Sequence, residues 1–489
     1  KILLEIITIG FFIIIIVGPI VNLFSNVLDN TGEIRARLFQ DELMGDLGWQ
    51  DIKTALWHSF SVAFIAVILD IVIGFPIAIL LARTNFKGKA ILNLLVDLPM
   101  AVPTSALGFS IMLFWAEFNV NPGKILIIFV HIAFTFPYIV RNLKVLIEKI
   151  DPLLEKAAET LSAPKFTTFR TITFPLLKDG LIAGMILAFT RSLGETGATT
   201  IVAGLVETAP IQVVGLRKQL QLPAASFLSL ILILISLSLL ILIKFISNRN
   251  VSKKEFWDVY YNVEKSFSNK YLRNSMKIIS FFLMILFVLI PAFFIFSQLN
   301  GEEIIEQLSG ADNKWAHLWA SITNSFEIGF FVVIIDLVFG IPFAFILVRA
   351  KWGKMNAVMD TILDIPLTIP SAALGYAIFM FWGPAGLNIT STGKPMIIFV
   401  HMTFTFPYVV RPIAATIRKV NRGHEDASAI FGAAPLTTFR KITLPAIKNG
   451  IVAGMIAAFT RSMGETGATL IVMGGDRTVP VLIVDLVEA

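Results

Sequence analysis

The feature that most constrains this chain is a series of eleven apolar runs, each long enough to cross a bilayer as a helix. Their approximate positions are 2–21, 55–82, 90–116, 124–147, 180–204, 226–247, 275–297, 318–348, 357–382, 395–417 and 450–474. Only 15% of the 489 residues are charged, against about 25% in soluble domains. This composition excludes a soluble enzyme and a disordered chain, and the absence of Cys excludes disulfides. The sequence predicts an all-α polytopic membrane protein.

The charged residues between these runs alternate in sign along the chain. Lys and Arg concentrate in the segments 83–89, 141–178, 249–277, 349–354 and 411–448, whereas 22–51 and 301–312 are acidic. Basic loops favour the cytoplasmic side, and this assignment alternates correctly across every span. It places the N-terminus in the cytoplasm and explains the net charge of +6 without invoking nucleic acid.

An internal repeat sets the predicted architecture. The segment His131-Ile-Ala-Phe-Thr-Phe-Pro-Tyr-Ile-Val-Arg141 recurs almost unchanged from His401 to Arg411, 270 residues later. The segment 189–199 recurs at 459–469 with the same offset. Six spans precede the basic linker, so both halves start on the same side and form parallel repeats.

The repeat also predicts domain boundaries. They are a first repeat at 1–248, a cytoplasmic linker at 249–274 and a second repeat at 275–489. The offset carries the sixth span to 496–517, past the last residue given. A twelfth span is therefore expected to be missing from this sequence.

Motifs for catalysis and for resident metals or cofactors are lacking in the sequence. Gly88-Lys89 and Gly393-Lys394 lack the other residues of a phosphate-binding loop, and no His pair has helical metal-ligand spacing. We therefore expect no catalytic residue, no metal and no cofactor in this chain. Any ATP, with its Mg²⁺, would be hydrolysed by a partner.

The basic segment before the fifth span of each repeat carries the most informative motif. Residues 155–175 read EKAAETLSAPKFTTFRTITFP, and 425–445 read EDASAIFGAAPLTTFRKITLP. We expect a short Ala-rich helix, a turn and a second amphipathic helix that ends near the Pro. The small Ala face permits close docking of another protein, and Phe169 and Phe439 are candidate aromatic anchors.

This motif resembles the "EAA" coupling loop of permeases from binding-protein-dependent ABC importers. The matching positions are Glu155, Lys156, Ala157, Ala158 and Ser162 in the first repeat, and Glu425, Asp426, Ala427, Ser428 and Gly432 in the second. The family's Glu is replaced by Lys156 and by Asp426, each preceded by a Glu, and its Gly is replaced by Ser162. These departures leave ATPase docking as the expectation but question the symmetry of its contacts.

The resemblance implies a type I importer permease with both membrane subunits fused in one chain. It further implies two ATPase subunits on the cytoplasmic side and an extracytoplasmic substrate-binding protein. Transport would proceed inward across the cell (plasma or inner) membrane, by alternating access between the two halves.

Charged residues also lie within the fifth span of each repeat. Arg191 and Glu195, like Arg461 and Glu465, are four residues apart and share a helix face. One interpretation is an internal ion pair that fixes helix packing. The other is a translocation path for an anion, lined by these four residues together with Thr196, Thr199, Thr466 and Thr469.

The surrounding residues resemble the fifth span of molybdate, tungstate and sulfate permeases, in which Gly-Glu is followed by Gly-Ala. Phosphate permeases share Gly-Glu-Thr but lack the Gly-Ala that follows it here. The runs from Asp97 to Gly108 and from Asp364 to Gly375 resemble the same oxyanion group. Fused permeases, however, are more usual among ferric iron and thiamine importers, so these substrates stay open. A third possibility is an ion-coupled secondary transporter that uses intramembrane acidic residues.

Other polar residues within the spans have structural interpretations. Asp70 and Asp336 are expected to cap or pair helices, and His131 and His401 to be hydrogen-bonded packing residues. Asp97 and Asp364 are expected to stabilise the N-termini of neighbouring helices.

Overall fold

The computed structural model describes residues 2–40, 48–247, 269–309 and 314–488, and every regular element in these ranges is helical. The helices before residue 248 are α1 (Ile2–Asp29), α2 (Thr31–Arg35), α3 (Trp49–Arg83), α4 (Lys89–Ala101), α5 (Thr104–Ala116), α6 (Lys124–Lys149), α7 (Pro152–Thr160), α8 (Lys165–Thr168), α9 (Phe174–Leu193), α10 (Gly197–Val202), α11 (Ala209–Lys218) and α12 (Leu222–Ser247).

From its second span onward, the second repeat repeats the order of α3 to α11. Its helices are α13 (Lys270–Met284), α14 (Ile290–Phe293), α15 (Gly301–Ser309), α16 (Lys314–Arg349), α17 (Lys354–Thr368), α18 (Ser371–Trp382), α19 (Lys394–Lys419), α20 (Arg422–Ile430), α21 (Pro435–Thr438), α22 (Leu444–Met463), α23 (Gly467–Val472) and α24 (Val479–Glu488). Residues 249–268 of the predicted linker lie outside the described residues. The predicted domain boundaries stay a prediction.

The membrane character of the fold follows from helix length and hydropathy. In the described ranges, nine helices are long and apolar enough to cross a membrane, or up to eleven if each of two bent pairs forms one span. The prediction of an all-α polytopic protein is confirmed, and the eleven predicted runs correspond to these elements.

The third span of each repeat is bent rather than straight. α4 and α5 meet at 106°, and α17 and α18 meet at 109°. The breaks lie at Val102-Pro103 and Ile369-Pro370, where Val102 and Ile369 have extended backbones. The proline ring clashes with a helical conformation of the preceding residue, which explains the break at this position.

The helix before each fifth span does not end at its proline as the sequence led us to expect. It continues through five residues with π-type hydrogen bonds, Phe169–Thr173 and Phe439–Thr443, into α9 and α22. In the first repeat the Phe174 N–H bonds the Phe169 carbonyl, one residue further back than in an α-helix. Pro175 then lies in the first turn of α9, where its missing N–H costs little.

Packing divides the chain into two compact units that each combine segments from both repeats. One unit comprises Lys1–Trp49, Gln212–Ile233 and Ile305–Ala489. In it, the first helix packs on the second span of the second repeat, with the Phe12 and Phe343 rings 4.1 Å apart between centroids. The ring of the adjacent residue, Phe11, stacks on that of Phe339 at 3.7 Å between centroids.

The other unit comprises Gln50–Ile211 and Leu234–Ile304. Here the first span of the second repeat packs on the bent third span of the first. Ser110 donates a 2.6 Å hydrogen bond to the Pro291 carbonyl, and the Trp115 ring lies 5.4 Å from that of Phe287. Each unit thus takes its first span from the other repeat.

Candidate functional site

The predicted coupling loop of the first repeat, at 155–175, is held by an inward-facing glutamate. Asp151 caps α7 by accepting a 2.9 Å hydrogen bond from the Leu153 N–H. One turn later, Glu155 accepts hydrogen bonds from Arg83 at 3.4 Å and from the Thr173 hydroxyl at 2.8 Å. Arg83 is the last residue of α3, so this cluster ties α7 to the C-terminal end of the second span and to the start of the fifth span.

The second coupling loop has the same design with closer contacts. Asn421 caps α20 through the Gly423 N–H at 2.9 Å. Glu425 forms a two-pronged ion pair with Arg349, at 2.5 and 2.8 Å, and accepts a hydrogen bond from Thr443 at 2.6 Å. The hydrogen bonds from Arg349 lower the pKa of Glu425 below its ordinary value.

The predicted docking residues therefore divide into two groups. Glu155 and Glu425 point into the protein and anchor their helices. The outward group comprises Lys156, Ala157, Asp426 and Ala427, which are exposed, and Ala158 and Ser428, which are half-buried. The turns that follow place Ser162 and Gly432 in left-handed conformations, with φ of 62° and 80°.

The aromatic residues named as anchors have a different role from the one expected. The Phe169 and Phe439 rings pack edge-on against Phe75 and Phe345 of the second spans, at 5.6 and 5.9 Å. Of the large apolar side chains in the two loops, those at the ends of α7 and α20 are the most exposed: Leu161 at 84%, Ile430 at 84% and Phe431 at 89%. Sequence reasoning missed them because nothing in the loop pattern shows which apolar residue faces outward.

The fifth span of each repeat ends in a buried ion pair. Arg191 lies 2.9 Å from Glu195. Arg461 and Glu465 lie 2.5 Å apart. In both pairs the carboxylate is 3% exposed and the guanidinium is 21–22% exposed. Both ion pairs are therefore formed, and the arginine is the more accessible member of each.

The fifth-span helix of each repeat ends just after the arginine of the ion pair, and a short helix begins one turn later. α9 ends at Leu193, and Glu195 accepts a 3.2 Å hydrogen bond from the Ala198 N–H at the start of α10. Glu465 does the same with Ala468 at 3.1 Å before α23. Each glutamate therefore balances an arginine and caps the short helix that follows it.

The Thr-Gly-Ala-Thr segments lie around this break. Thr199 and Thr469 bond the carbonyls of Glu195 and Glu465, each at 3.1 Å. The hydroxyls of Thr196 and Thr466 are buried, and neither has a hydrogen-bond partner among the described residues.

A histidine joins these elements to the fourth span. His131 Nδ1 lies 2.6 Å from the Ser192 hydroxyl, and Nε2 lies 3.0 Å from that of Thr199. His401 makes the equivalent contacts with Ser462 and Thr469 at 2.8 and 2.9 Å. Both ring nitrogens are thus engaged within the protein, as expected for a packing residue.

The short helices dock against the bent third spans at two glycines. A Cβ atom on Gly108 would lie 2.9 Å from the Ala198 Cα, and one on Gly375 would lie 2.8 Å from the Ala468 Cα. Only glycine permits this approach, so the Leu-Gly and Gly-Ala dipeptides of the sequence motifs form one contact in each repeat.

The acidic residues of the third spans do not serve helix N-termini, contrary to our expectation. Asp97 forms an ion pair with Arg141 of α6. Asp364 pairs with Arg411 of α19, which also bonds Asp360 at 2.5 Å. These aspartates lie inside helices and face the fourth span, so a basic side chain is their partner.

The same described ranges contain no group of three or more His, Asp or Glu side chains that could hold a metal ion. The polar clusters consist of ion pairs and hydroxyl bridges. They can position helices and present a guanidinium or a hydroxyl to a solute.

Comparison with known proteins identifies the family. The family described as "Binding-protein-dependent transport system inner membrane component" matches twice, at residues 74–252 and 337–484. The chain belongs to this family. The two matches agree with the repeat and describe a duplicated permease within one chain, and the relatives below are membrane subunits of transporters.

Each of three relatives matches at most half of this chain. The sulfate transport system permease protein CysT of Salmonella typhimurium is 36% identical over 203 residues, covering 38% of this chain and 73% of the relative. The molybdenum transport system permease protein ModB of Haemophilus influenzae is 34% identical over 176 residues, covering 32% and 76%. A probable sulfate permease protein cysT of Chlorokybus atmophyticus is 30% identical over 264 residues, covering 50% and 88%.

Proposed function

We propose that this chain is the permease of an ATP-driven ABC importer that moves a small oxyanion into the cell, with sulfate and molybdate as the leading substrates. The observation that carries the proposal is the presence, in both repeats, of a glutamate-anchored coupling loop together with relatives named as sulfate and molybdenum permeases. A secondary transporter has no use for two such cytoplasmic loops.

The proposed partners are those implied by the family, and the exposed residues of the two loops support the place of the ATPases. Two ATPase subunits, which bind ATP and Mg²⁺, dock on the outward faces of α7 and α20. An extracytoplasmic binding protein delivers the substrate. The protein lies in the plasma or inner membrane, with its N-terminus in the cytoplasm. ATP-driven movement of the coupling loops moves the two repeats, so that the path between them opens alternately to the two sides of the membrane.

The translocation path is proposed to use the break in each fifth span. Arg191 and Arg461 are the accessible members of their ion pairs, and the Thr196 and Thr466 hydroxyls have no protein partner in the described structure. Guanidinium groups and hydroxyls are donors that suit an oxyanion that has lost part of its hydration. Glu195 and Glu465 balance the charge, so the anion binds weakly enough to leave.

The substrate assignment is tested on the whole transporter. The purified complex, reconstituted with its binding protein and ATPase, is assayed for ATP-dependent uptake of labelled sulfate, molybdate, tungstate, phosphate, ferric iron and thiamine. We expect uptake of one or more oxyanions. Uptake of iron or thiamine alone would overturn the oxyanion proposal while leaving the ABC permease in place.

The path is tested by variants that keep charge balance. In Arg191→Gln/Glu195→Gln, combined with Arg461→Gln/Glu465→Gln, no buried charge is left alone, so the protein is expected to fold. We expect loss of oxyanion uptake with unchanged ATPase binding. Normal uptake by the folded variant would assign the pairs to packing alone.

The coupling assignment is tested at the exposed positions. We expect Asp426→Lys, or Ala427→Trp, to keep ATP hydrolysis but to lower ATP-driven uptake by about tenfold. The loss of one important docking contact weakens binding by about 1.4 kcal/mol or more, which corresponds to a factor of about ten. Thr437→Ser, at an exposed position of the same loop, serves as the control. Undiminished uptake by both variants would contradict docking at this face.

A further inference from the structure

Each of two buried aspartates contacts a threonine hydroxyl that also lies within hydrogen-bond distance of a backbone carbonyl oxygen. Thr135 Oγ1 lies 2.5 Å from Asp70 Oδ2 and 2.6 Å from the His131 carbonyl oxygen. In the second repeat, Thr405 Oγ1 lies 2.6 Å from Asp336 Oδ2 and 2.7 Å from the His401 carbonyl oxygen. The arrangement thus occurs twice, with almost the same distances.

The number of protons at this contact decides its chemistry. A threonine hydroxyl has one proton to donate, and both a carboxylate and a carbonyl oxygen can only accept. If Asp70 were ionised, one of the two short oxygen–oxygen contacts of Thr135 would hold no proton and would be repulsive. If Asp70 carries a proton, it donates to Thr135, and Thr135 donates to the His131 carbonyl.

The surroundings of the aspartates point the same way. Asp70 and Asp336 are 0% exposed, and their second oxygens, Oδ1, have no hydrogen-bond partner among the described residues. Burying an isolated carboxylate is far more costly than burying a neutral acid.

The histidine and the arginines of the adjoining helices have other partners. On α6, the His131 ring bonds two hydroxyls and Arg141 pairs with Asp97. On α9, Arg191 pairs with Glu195. In the second repeat, Arg411 and Arg461 pair with Asp364 and Glu465 in the same way. No cation in the described structure pairs with Asp70 or Asp336.

We propose that Asp70 and Asp336 are neutral carboxylic acids that act as hydrogen-bond donors between the second and fourth spans. They are positioning residues: each fixes the helix whose histidine, one turn away, holds the hydroxyls beside the fifth-span break. They are not ion-coupling sites. Protonation of the two aspartates does not depend on the proposed function; only the expected effect on uptake rests on that function.

Infrared spectroscopy tests the protonation directly. The purified transporter, with its aspartates labelled by ¹³C at the carboxyl carbon, should show a carbonyl stretch of protonated carboxylic acids from about pH 5 to about pH 9. We expect Asp70→Asn to remove about half of the band and Asp70→Asn/Asp336→Asn to remove it. Asp51→Asn, at an exposed position on the same helix as Asp70, should leave it unchanged. Absence of the band in the wild-type protein, or its loss near neutral pH, would overturn the proposal.

Transport assays separate positioning from ion coupling. Asparagine can donate to Thr135 as the neutral acid does, so Asp70→Asn/Asp336→Asn should keep uptake within about twofold and leave its pH profile unchanged. Asp70→Ala/Asp336→Ala loses the donors and should lower uptake by about tenfold. Loss of uptake in the folded asparagine variant would contradict a positioning role. If the alanine variant does not fold, the asparagine variant and the infrared band still decide the question.

Failure of this proposal is distinguishable from failure of the proposed function. The infrared band does not depend on which solute the protein carries. An importer of iron or thiamine with the band present would retain the neutral acids and lose only the oxyanion assignment.

Discussion

Ser162 has a left-handed backbone at the position where its counterpart in the second repeat, Gly432, is a glycine. For a residue with a Cβ atom this conformation costs about 1 kcal/mol. We expect Ser162→Gly to stabilise the first coupling loop and Gly432→Ser to destabilise the second, each by up to about 1 kcal/mol. Amide hydrogen exchange across the two loops measures both. Equal protection in wild type and variants would show that the turn stores no such strain.

The contacts of Gly108 and Gly375 predict a larger effect within the spans. A Cβ atom at either position would meet the backbone of the short helix at under 3.0 Å. We expect Gly375→Ala to lower the free energy of unfolding by about 1–3 kcal/mol through overpacking. Gly10→Ala is the matched control, because a Cβ atom there has no neighbour within 4 Å. Thermal unfolding in detergent checks both, and similar midpoints for the two variants would contradict the close approach.

Individual side chains also show how far the sequence could predict the site. The Arg191–Glu195 pair follows from the spacing of four residues on one helix, and the sequence predicts it. The inward direction of Glu155 does not follow, because its partner Arg83 is 72 residues away. A local pattern contains no information about which distant helix end supplies the cation.

At the scale of elements, α7 and α20, the first helices of the two predicted coupling loops, differ in how firmly they are held. Glu425 makes a two-pronged ion pair with Arg349, whereas Glu155 meets Arg83 at 3.4 Å. We expect Glu425→Gln to lower hydrogen-exchange protection of α20 more than Glu155→Gln lowers that of α7. An equal loss in both helices would show that the hydroxyls of Thr173 and Thr443 dominate the anchoring.

The anchoring of α20 has a predictable pH dependence. The pKa of Glu425 is lower in the folded protein than in the unfolded chain, so its ionised form stabilises the folded loop. This contribution is complete above the ordinary glutamate pKa of about 4.3 and is lost as the pH falls through the lowered value. We expect acid-induced loosening of 421–443 in the wild type. In Arg349→Gln the loop should already be loose at neutral pH, and its remaining pH dependence should be smaller.

The bends and breaks of the helices were only partly predictable. Each third span contains two prolines, and the sequence does not show which of them interrupts the helix. Pro99 stays inside α4, whereas Pro103 follows an extended Val102 at the break. The fifth span is similar, since the π-type turn before Pro175 lets the helix continue where a local reading expects an end. Tertiary packing selects among alternatives that local propensity leaves open.

At the scale of the whole molecule, the repeat in the sequence and the units of the fold divide the chain differently. The sequence predicts two halves that follow one another, and the family matches respect that order. The compact units instead exchange their first spans, so that α1 packs with 305–489 and α13 with 50–211. Hydropathy identifies the spans but cannot assign their neighbours, because an apolar residue has the same hydropathy whether it faces lipid or protein.

The exchanged span leads to a prediction about which part of the molecule α1 stabilises. Phe12 is 0% exposed and packs against Phe343, whereas Phe24 on the same helix is 47% exposed. Phe12→Ala leaves a cavity that lipid cannot fill and should lower the free energy of unfolding by about 3–5 kcal/mol. Phe24→Ala faces the open side and should cost little. We expect Phe12→Ala to loosen α16 and α19 of the second repeat in hydrogen exchange, while α3 and α6 of its own repeat keep their protection. Loosening of α3 and α6 instead would show that the first span stabilises the repeat to which it belongs in sequence.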